Sequence, residues 1–316
     1  MTTLYTAAEV EAALDYPRLV AALRDAFGTP GEAMPVRQSY DVGTVPAPGH
    51  LLTMPAWRRG EAIGTKLVTI FPENAARGLG SVSSLYVLFD GVTGAARAIM
   101  PGDELTNRRT GATSALASSF LSRADSRTLL VVGNGHVAFH AAEAHCAVRP
   151  VERILVYGRS AGKAQAFAAK LAGRLAPRVI TAVADLPAAC AEADIIACGT
   201  TARAPLILGA HVRPGTHIDL VGAFTPQMRE SDDALVAKSA VYGDTRGGVL
   251  AEAGDLLQPI ASGAWRADQF RGDLHDLCAG RVSGRTLPEE VTLFKSVGAA
   301  IEDLTAAMLV VARETS

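Results

Sequence analysis

Gly133-Asn134-Gly135-His136-Val137-Ala138 sets two glycines and a small residue at the spacing G-x-G-x-x-A, directly after the apolar run Leu129-Leu130-Val131-Val132. Gly133 permits a tight turn, Gly135 lets the backbone approach a pyrophosphate, and Ala138 lets a helix pack closely on the strand. The unpaired N–H groups and the dipole at the start of that helix then attract phosphate oxygens. The segment reads as a dinucleotide site, with Gly133, Asn134, Gly135, His136 and Val137 around the phosphates. The next strand ends in Tyr157-Gly158-Arg159-Ser160, with Lys163 behind it, where an NAD site would place a carboxylate for the ribose hydroxyls. A guanidinium, a hydroxyl and an ammonium suit a 2′-phosphate instead, so the expected cofactor is NADPH, with NADH the weaker ligand. Thr200 and Thr201, after the strand that ends at Cys198, are expected to border the same cofactor.

The elements that must position these groups follow from periodicity. From Thr128 onward, apolar strands alternate with helical stretches: strands at 128–133, 153–158, 179–183, 194–199 and 216–222, helices at 136–148, 161–172 and 186–193. Continuous runs such as Leu129 to Val132 suit strands buried on both faces, and the alternation predicts a parallel sheet built from βαβ units. Before it, Val10 to Ala26 reads as an amphipathic helix interrupted at Pro17. The β-prone runs 51–54, 66–71 and 85–89, divided by turns at 46–49, 78–80 and 91–94, predict a mixed or antiparallel sheet. Thr106 to Leu121 is expected to be helical, and a final helix is expected over 289–312. The fold class is therefore α/β: residues 126–288 form a Rossmann domain, and residues 1–125, joined by a C-terminal helix at 289–316, form a discontinuous αβ domain.

Composition narrows the function. In 316 residues, 30 Lys and Arg face 32 Asp and Glu, a net charge of −2 with no basic run, which predicts neither a nucleic-acid nor a membrane partner. No apolar stretch approaches the roughly 20 residues a bilayer requires, and the first fourteen residues lack the pattern of a signal peptide, so a cytoplasmic protein is expected. Cys146, Cys190, Cys198 and Cys278 form no CxxC pair, in keeping with reduced thiols. His136 and His140 lie one helical turn apart, but no HExxH arrangement accompanies them, and no metal site is expected.

Gly64-Thr65-Lys66 through Phe71-Pro72-Glu73-Asn74, Gly78-Leu79-Gly80-Ser81-Val82 and Leu105-Thr106-x-x-Arg109-Thr110-Gly111-Ala112 together resemble the ornithine cyclodeaminase/μ-crystallin family. The resemblance continues through Glu252-Ala253-Gly254-Asp255-Leu256 and Phe294-Lys295-Ser296-Val297-Gly298-x-Ala300-x-Glu302-Asp303, and so covers nearly the whole chain. It implies an N-terminal domain that binds substrate and forms a homodimer, and a Rossmann domain that binds the nicotinamide. It also implies that Arg37, Lys66 and Arg109 are the substrate-binding cations and that Ser81 contacts substrate or nicotinamide. A guanidinium suits the carboxylate of an α-imino or α-amino acid, with Arg109 the first choice for that clamp. Lys66, beside two arginines and partly desolvated, should have a lowered pKa and so be able to exchange a proton with the substrate nitrogen as the catalytic residue.

One departure separates activities within the family. Ornithine cyclodeaminases carry an aspartate after the fifth Rossmann strand, where this chain reads Val221-Gly222-Ala223-Phe224. Phe224 cannot serve as the base that cyclodeamination requires, and its ring suits an apolar substrate wall. The resemblance therefore implies NADPH-dependent reduction of cyclic imino acids, Δ1-pyrroline-2-carboxylate or Δ1-piperideine-2-carboxylate. The alternatives it leaves are ornithine cyclodeamination, alanine dehydrogenation, and μ-crystallin-like binding of a small ligand.

Overall fold

The computed structural model describes residues 1–31, 34–44 and 47–313, so that Pro46 in the first expected turn and the last three residues of the expected 289–316 helix lie outside the described residues. The chain divides into two compact units, Met1–Arg109 with Ala299–Ser316, and Thr110–Gly298. The periodicity sets boundaries at 125/126 and 288/289; the division between the compact units runs inside the helix Gly102–Leu121 and after the strand Thr292–Lys295.

The first unit opens with β1 (Thr3–Leu4), α1 (Ala7–Ala13) and α2 (Tyr16–Gly28). The helical stretch read over 10–26 is broken in two, as expected at Pro17, which opens the second piece. Pro17 occupies the first turn of α2, where its missing N–H costs nothing, and Asp15 caps that turn by accepting from the Arg18 N–H. Strands β2 (Gln38–Asp41), β3 (His50–Arg58), β4 (Ala62–Ile70), β5 (Val82–Asp90) and β6 (Ala96–Pro101) follow. They form a six-stranded sheet in the order β1-β6-β5-β4-β3-β2, antiparallel except where β1 joins β6. In β4 the usual alternation is inverted: Ala62, Gly64 and Lys66 are buried, while Ile63 and Leu67 are 41% and 37% exposed. Helix α3 (Gly102–Leu121) then carries the chain across the division between the units.

The second unit is built on β7 (Thr128–Val132), α4 (His136–Val148), β8 (Arg153–Tyr157), α5 (Ala161–Leu175), β9 (Val179–Ala182), α6 (Leu186–Glu192), β10 (Ile195–Cys198) and β11 (His217–Leu220). It continues through α7 (Asp233–Lys238), β12 (Ala240–Gly243), α8 (Arg246–Glu252), α9 (Gly254–Ser262), β13 (Gly272–Asp273), α10 (Leu274–Cys278) and β14 (Thr292–Lys295). All eight strands are parallel, in the order β13-β12-β14-β11-β10-β7-β8-β9. Successive strand residues alternate between two cores. Leu129, Val131, Ile154 and Val156 pack with α4 and α5 on one face, and Leu130, Val132, Leu155 and Ile196 pack with residues of α6, α7 and α9 on the other. Strand order reverses between β7 and β10, and in such doubly wound sheets ligands bind at the carboxyl ends of the strands beside that reversal.

The expected final helix over 289–312 is instead a strand followed by a helix. Thr292–Lys295 is completely buried and inserts between β11 and β12, and only after the turn at Gly298 does α11 (Ala300–Ala312) begin. The short apolar run Val291-Thr292-Leu293-Phe294 is equally compatible with a buried helix, and burial on both faces of a parallel sheet decided the matter. Helix α11 belongs to the first unit, where it packs on α2 and across β3, β4 and β5. Among the described residues no helix is long and apolar enough to cross a membrane.

Candidate active site

In the second unit, the turn after β7 meets the requirements of its sequence. Gly133 adopts φ 117°, a conformation that side-chain-bearing residues rarely take, and a Cβ there would stand 2.6 Å from the Gly199 carbonyl at the end of β10. Gly135 is the N-cap of α4, and a Cβ on it would meet nothing within 4 Å. That open, exposed helix start is a cradle for phosphate, and a nicotinamide dinucleotide fits it. His136 is exposed and Val137 half-buried beside it, while the Asn134 amide lies so close to Gly158 that a Cβ there would approach within 2.3 Å. Arg159 and Lys163 are exposed beyond the end of β8, and Ser160 caps α5 by accepting from the Lys163 N–H.

A second feature of this crevice was not read from the sequence. Glu230 is completely buried and clasps two strand-end loops. One oxygen accepts from the backbone N–H and hydroxyl of Thr200 at 2.6 and 2.8 Å, and the other from the Gly222 N–H at 2.8 Å. Asp255 accepts in turn from the Glu230 and Ser231 N–H groups and from the Lys295 ammonium at 3.1 Å, both side chains being fully buried. Burial raises the Glu230 pKa; Lys295 opposes that shift and Asp255 adds to it. Thr200 is therefore held with its hydroxyl on Glu230, whereas Thr201 and Phe224 are exposed, Phe224 by 43%.

In the first unit, the cations implied by the resemblance meet two carboxylates that it had not placed in the site. Lys66 in β4, 3% exposed, donates to Asp303 in the first turn of α11 at 3.0 Å and lies 3.4 Å from the Thr106 hydroxyl. Arg109 in α3, 5% exposed, donates through Nε to Asp303 at 3.0 Å and through Nη1 to Glu302 at 2.5 Å. Glu302 also accepts from the Ala299 N–H at 3.1 Å, so the start of α11 is capped by the side chain that pairs with the arginine.

The electrostatics follow from that arrangement. Burial and the Arg109 charge lower the Lys66 pKa, Asp303 raises it, Arg37 lowers it a little further, and the result is about 8 instead of 10.5. Burial opposes the charge of Arg109, but Asp303 and Glu302 outweigh it and hold its pKa above the ordinary guanidinium range. Burial likewise works against ionised Asp303, and Arg109 and Lys66 reverse the balance, keeping it a carboxylate. Arg37 is half-buried and its charge is felt at Lys66. Ser81 stands in the turn before β5, with its hydroxyl donating to the Pro72 carbonyl at 3.4 Å. The signal for Glu302 and Asp303 was present as an acidic pair following the buried strand, but nothing local reports that they meet Lys66 and Arg109.

A doubly wound nucleotide-binding unit joined to a sheet that buries a lysine and an arginine against carboxylates defines a nicotinamide-dependent oxidoreductase acting on a small anionic substrate. The model of the ornithine cyclodeaminase/mu-crystallin family matches residues 1–316, and the chain belongs to that family. It is 44% identical over 275 residues to the Δ1-pyrroline-2-carboxylate reductase of Paracoccus denitrificans, covering 87% of this chain and 86% of the relative. The structure of Thermococcus litoralis Δ1-pyrroline-2-carboxylate reductase in complex with NADH and L-proline superposes with a TM-score of 0.92 at 34% identity, covering 99% and 98% of the two chains. An archaeal alanine dehydrogenase dimer with bound NAD superposes with a TM-score of 0.89 at 26% identity, covering 99% of this chain and 96% of the other.

Proposed function

We propose that this protein reduces cyclic imino acids, taking Δ1-pyrroline-2-carboxylate to L-proline or Δ1-piperideine-2-carboxylate to L-pipecolate, with NADPH as the preferred cofactor. The observation that carries the reading is Lys66, buried with a pKa near 8 between Asp303 and the arginines. A lysine so poised is mostly ammonium at neutral pH and still able to give up its proton. The bound reduced nicotinamide supplies a hydride for C2 of the imine.

This chain's residues supply the rest. Lys66 keeps the C=N nitrogen protonated, directly or through a water it holds, so that C2 accepts the hydride and the nitrogen becomes an amine. Arg109 offers its guanidinium to the substrate carboxylate in a plane fixed by Glu302 and Asp303. Among Lys66, Arg109, Glu302 and Asp303 the charges cancel, so Arg37 supplies the excess positive charge that an anionic substrate needs. Phe224, with its ring part-exposed, offers an apolar wall to a substrate ring, and it leaves no carboxylate at that position for ammonia elimination. Gly133 to Val137 hold the pyrophosphate, Thr200 and Thr201 border the nicotinamide half, and exposed Arg159 and Lys163 with Ser160 favour a 2′-phosphate.

A homodimer is part of the same proposal. On the sheet face opposite Lys66, Leu67 pairs with Leu85, and both are exposed together with Ile63 and Tyr40. An apolar sheet face of this kind is covered in the working protein, and a second copy presenting the same face covers it symmetrically. Loss of nicotinamide absorbance with NADPH and either cyclic imine, run beside ammonia release from L-ornithine with NAD, tests the activity. Turnover of the imine without ammonia supports the reading, and ammonia release without imine reduction overturns it. Sedimentation velocity tests the dimer.

A further inference from the structure

Tyr86 stands directly across from Lys66 in the β4–β5 register, on the same buried face of the sheet. Its ring leans over Gly64, where an added Cβ would come within 2.1 Å of the hydroxyl oxygen, so the phenol occupies the space that the missing side chain leaves. The side chain is fully buried, yet its hydroxyl has no hydrogen-bond partner among the described residues. Burial, and then the Asp303 carboxylate, raise its pKa well above 10, so it remains a neutral hydroxyl wherever the protein is folded. Buried hydroxyls are nearly always paired, and one left unpaired is a net cost to the fold. A bound ligand or a water it carries answers that cost. The hydroxyl lies over Gly64, one side-chain position along the buried face of β4 from Lys66, and is near enough to Asp303 for that charge to act on the phenol.

Resting on the cyclic imino acid reading, we propose that Tyr86 is a substrate-positioning residue whose hydroxyl hydrogen-bonds the bound imino acid, or the water at its nitrogen, beside Lys66. A neutral hydroxyl both donates and accepts, so it serves the imine nitrogen before reduction and the amine after it. A phenylalanine keeps the ring over Gly64 and removes only the oxygen.

The test is Tyr86→Phe in the full-length protein, followed by steady-state kinetics with Δ1-pyrroline-2-carboxylate and Δ1-piperideine-2-carboxylate and by thermal melts with and without L-proline and L-pipecolate. The expected result is a drop in kcat/KM for the imine of about tenfold to a hundredfold, the range for one hydrogen bond to a charged group. The KM for NADPH stays unchanged, the ligand-free Tm is equal or higher, and the upward Tm shift given by the cyclic amino acid shrinks. Unchanged kcat/KM with an unchanged ligand shift overturns the assignment. A fall in ligand-free Tm that accompanies the kinetic loss also overturns it, since it marks the hydroxyl as structural. Wild-type protein that neither turns over an imine nor is stabilised by L-proline or L-pipecolate refutes the substrate reading and this assignment with it.

Discussion

Substituting Asp303→Asn removes a charge that lies 3.0 Å from both Lys66 and Arg109 while keeping the shape of the side chain. In the intact protein Lys66 titrates near 8, so at pH 7.5 about three quarters of it is ammonium, and kcat/KM for imine reduction falls as pH rises through 8. Asp303 is the group that holds this value up against burial and the Arg109 charge. An opposite charge at such a distance is worth about 1–3 pH units, so in the variant the basic limb moves to between about pH 5 and 7. At pH 7.5 the ammonium fraction then falls to about a quarter at the small end of that range and below about 1% at the large end. The loss is recovered by acidification, which separates it from a general loss of structure. Removing one member of a buried ion cluster also costs about 3–5 kcal/mol of stability, read as a lower urea midpoint. The assay is the pH dependence of kcat/KM from pH 5 to 9.5 with the fold checked by circular dichroism. A folded variant whose basic limb remains near pH 8 refutes the argument, because the titrating group would then not be the lysine paired with Asp303.

Because the folded-state pKa of Lys66 is depressed, the unfolded chain holds that proton more tightly between about pH 8 and 10.5, and stability gains from this residue as pH rises through that window. At about 1.4 kcal/mol per pH unit the gain reaches about 3 kcal/mol, and the difference in unfolding free energy between wild type and Lys66→Met, measured by urea titration, should grow by that order across it. Gly133→Ala forces a side chain into φ 117° against the Gly199 carbonyl, and NADPH affinity measured by fluorescence titration should fall at least tenfold. Glu230→Ala leaves the Thr200 and Gly222 N–H groups without their acceptor. At about 1–3 kcal/mol for each unpaired group, the urea midpoint should drop clearly, and the KM for cofactor should rise with it. Arg159→Ala should raise the KM for NADPH about tenfold or more and leave that for NADH nearly unchanged; equal effects on both cofactors would rule out a 2′-phosphate contact.

What was legible in the sequence followed from local rules. The phosphate turn is a contiguous spacing, and the first five strands of the parallel sheet announce themselves through continuous apolar runs alternating with helical stretches, whereas β12, β13 and β14 carry no such alternation and β14 reads as helix. What was not legible required knowledge of partners. Alternation along Ile63-Gly64-Thr65-Lys66-Leu67 points the isoleucine and leucine inward by every ordinary rule, and the sheet does the opposite because Asp303 compensates the buried lysine. Glu302 and Asp303 stand in the first turn of a helix, where acidic residues are common for the dipole alone, so their pairing with residues far earlier in the chain leaves no local mark. Glu230 is equally silent in the sequence, because its partners Thr200 and Gly222 lie on other loops. Tyr86 reads as one more aromatic in a strand until its hydroxyl is seen to lie over Gly64.

The ionic cluster also carries a consequence for how the protein comes into being. Asp303 follows Lys66 by 237 positions and Glu302 follows Arg109 by 193. At about 5–20 residues per second of synthesis, the two cations wait about 10–50 s for their counter-charges to leave the ribosome. The inserted unit, 110–298, is complete before α11 exists, so it is free to fold first. The sheet that holds Lys66 cannot close over it without stranding a charge. Maturation of the unit that holds Lys66 is therefore timed by the last helix, and a nascent chain halted ahead of residue 299 keeps its doubly wound half and has no compensated lysine.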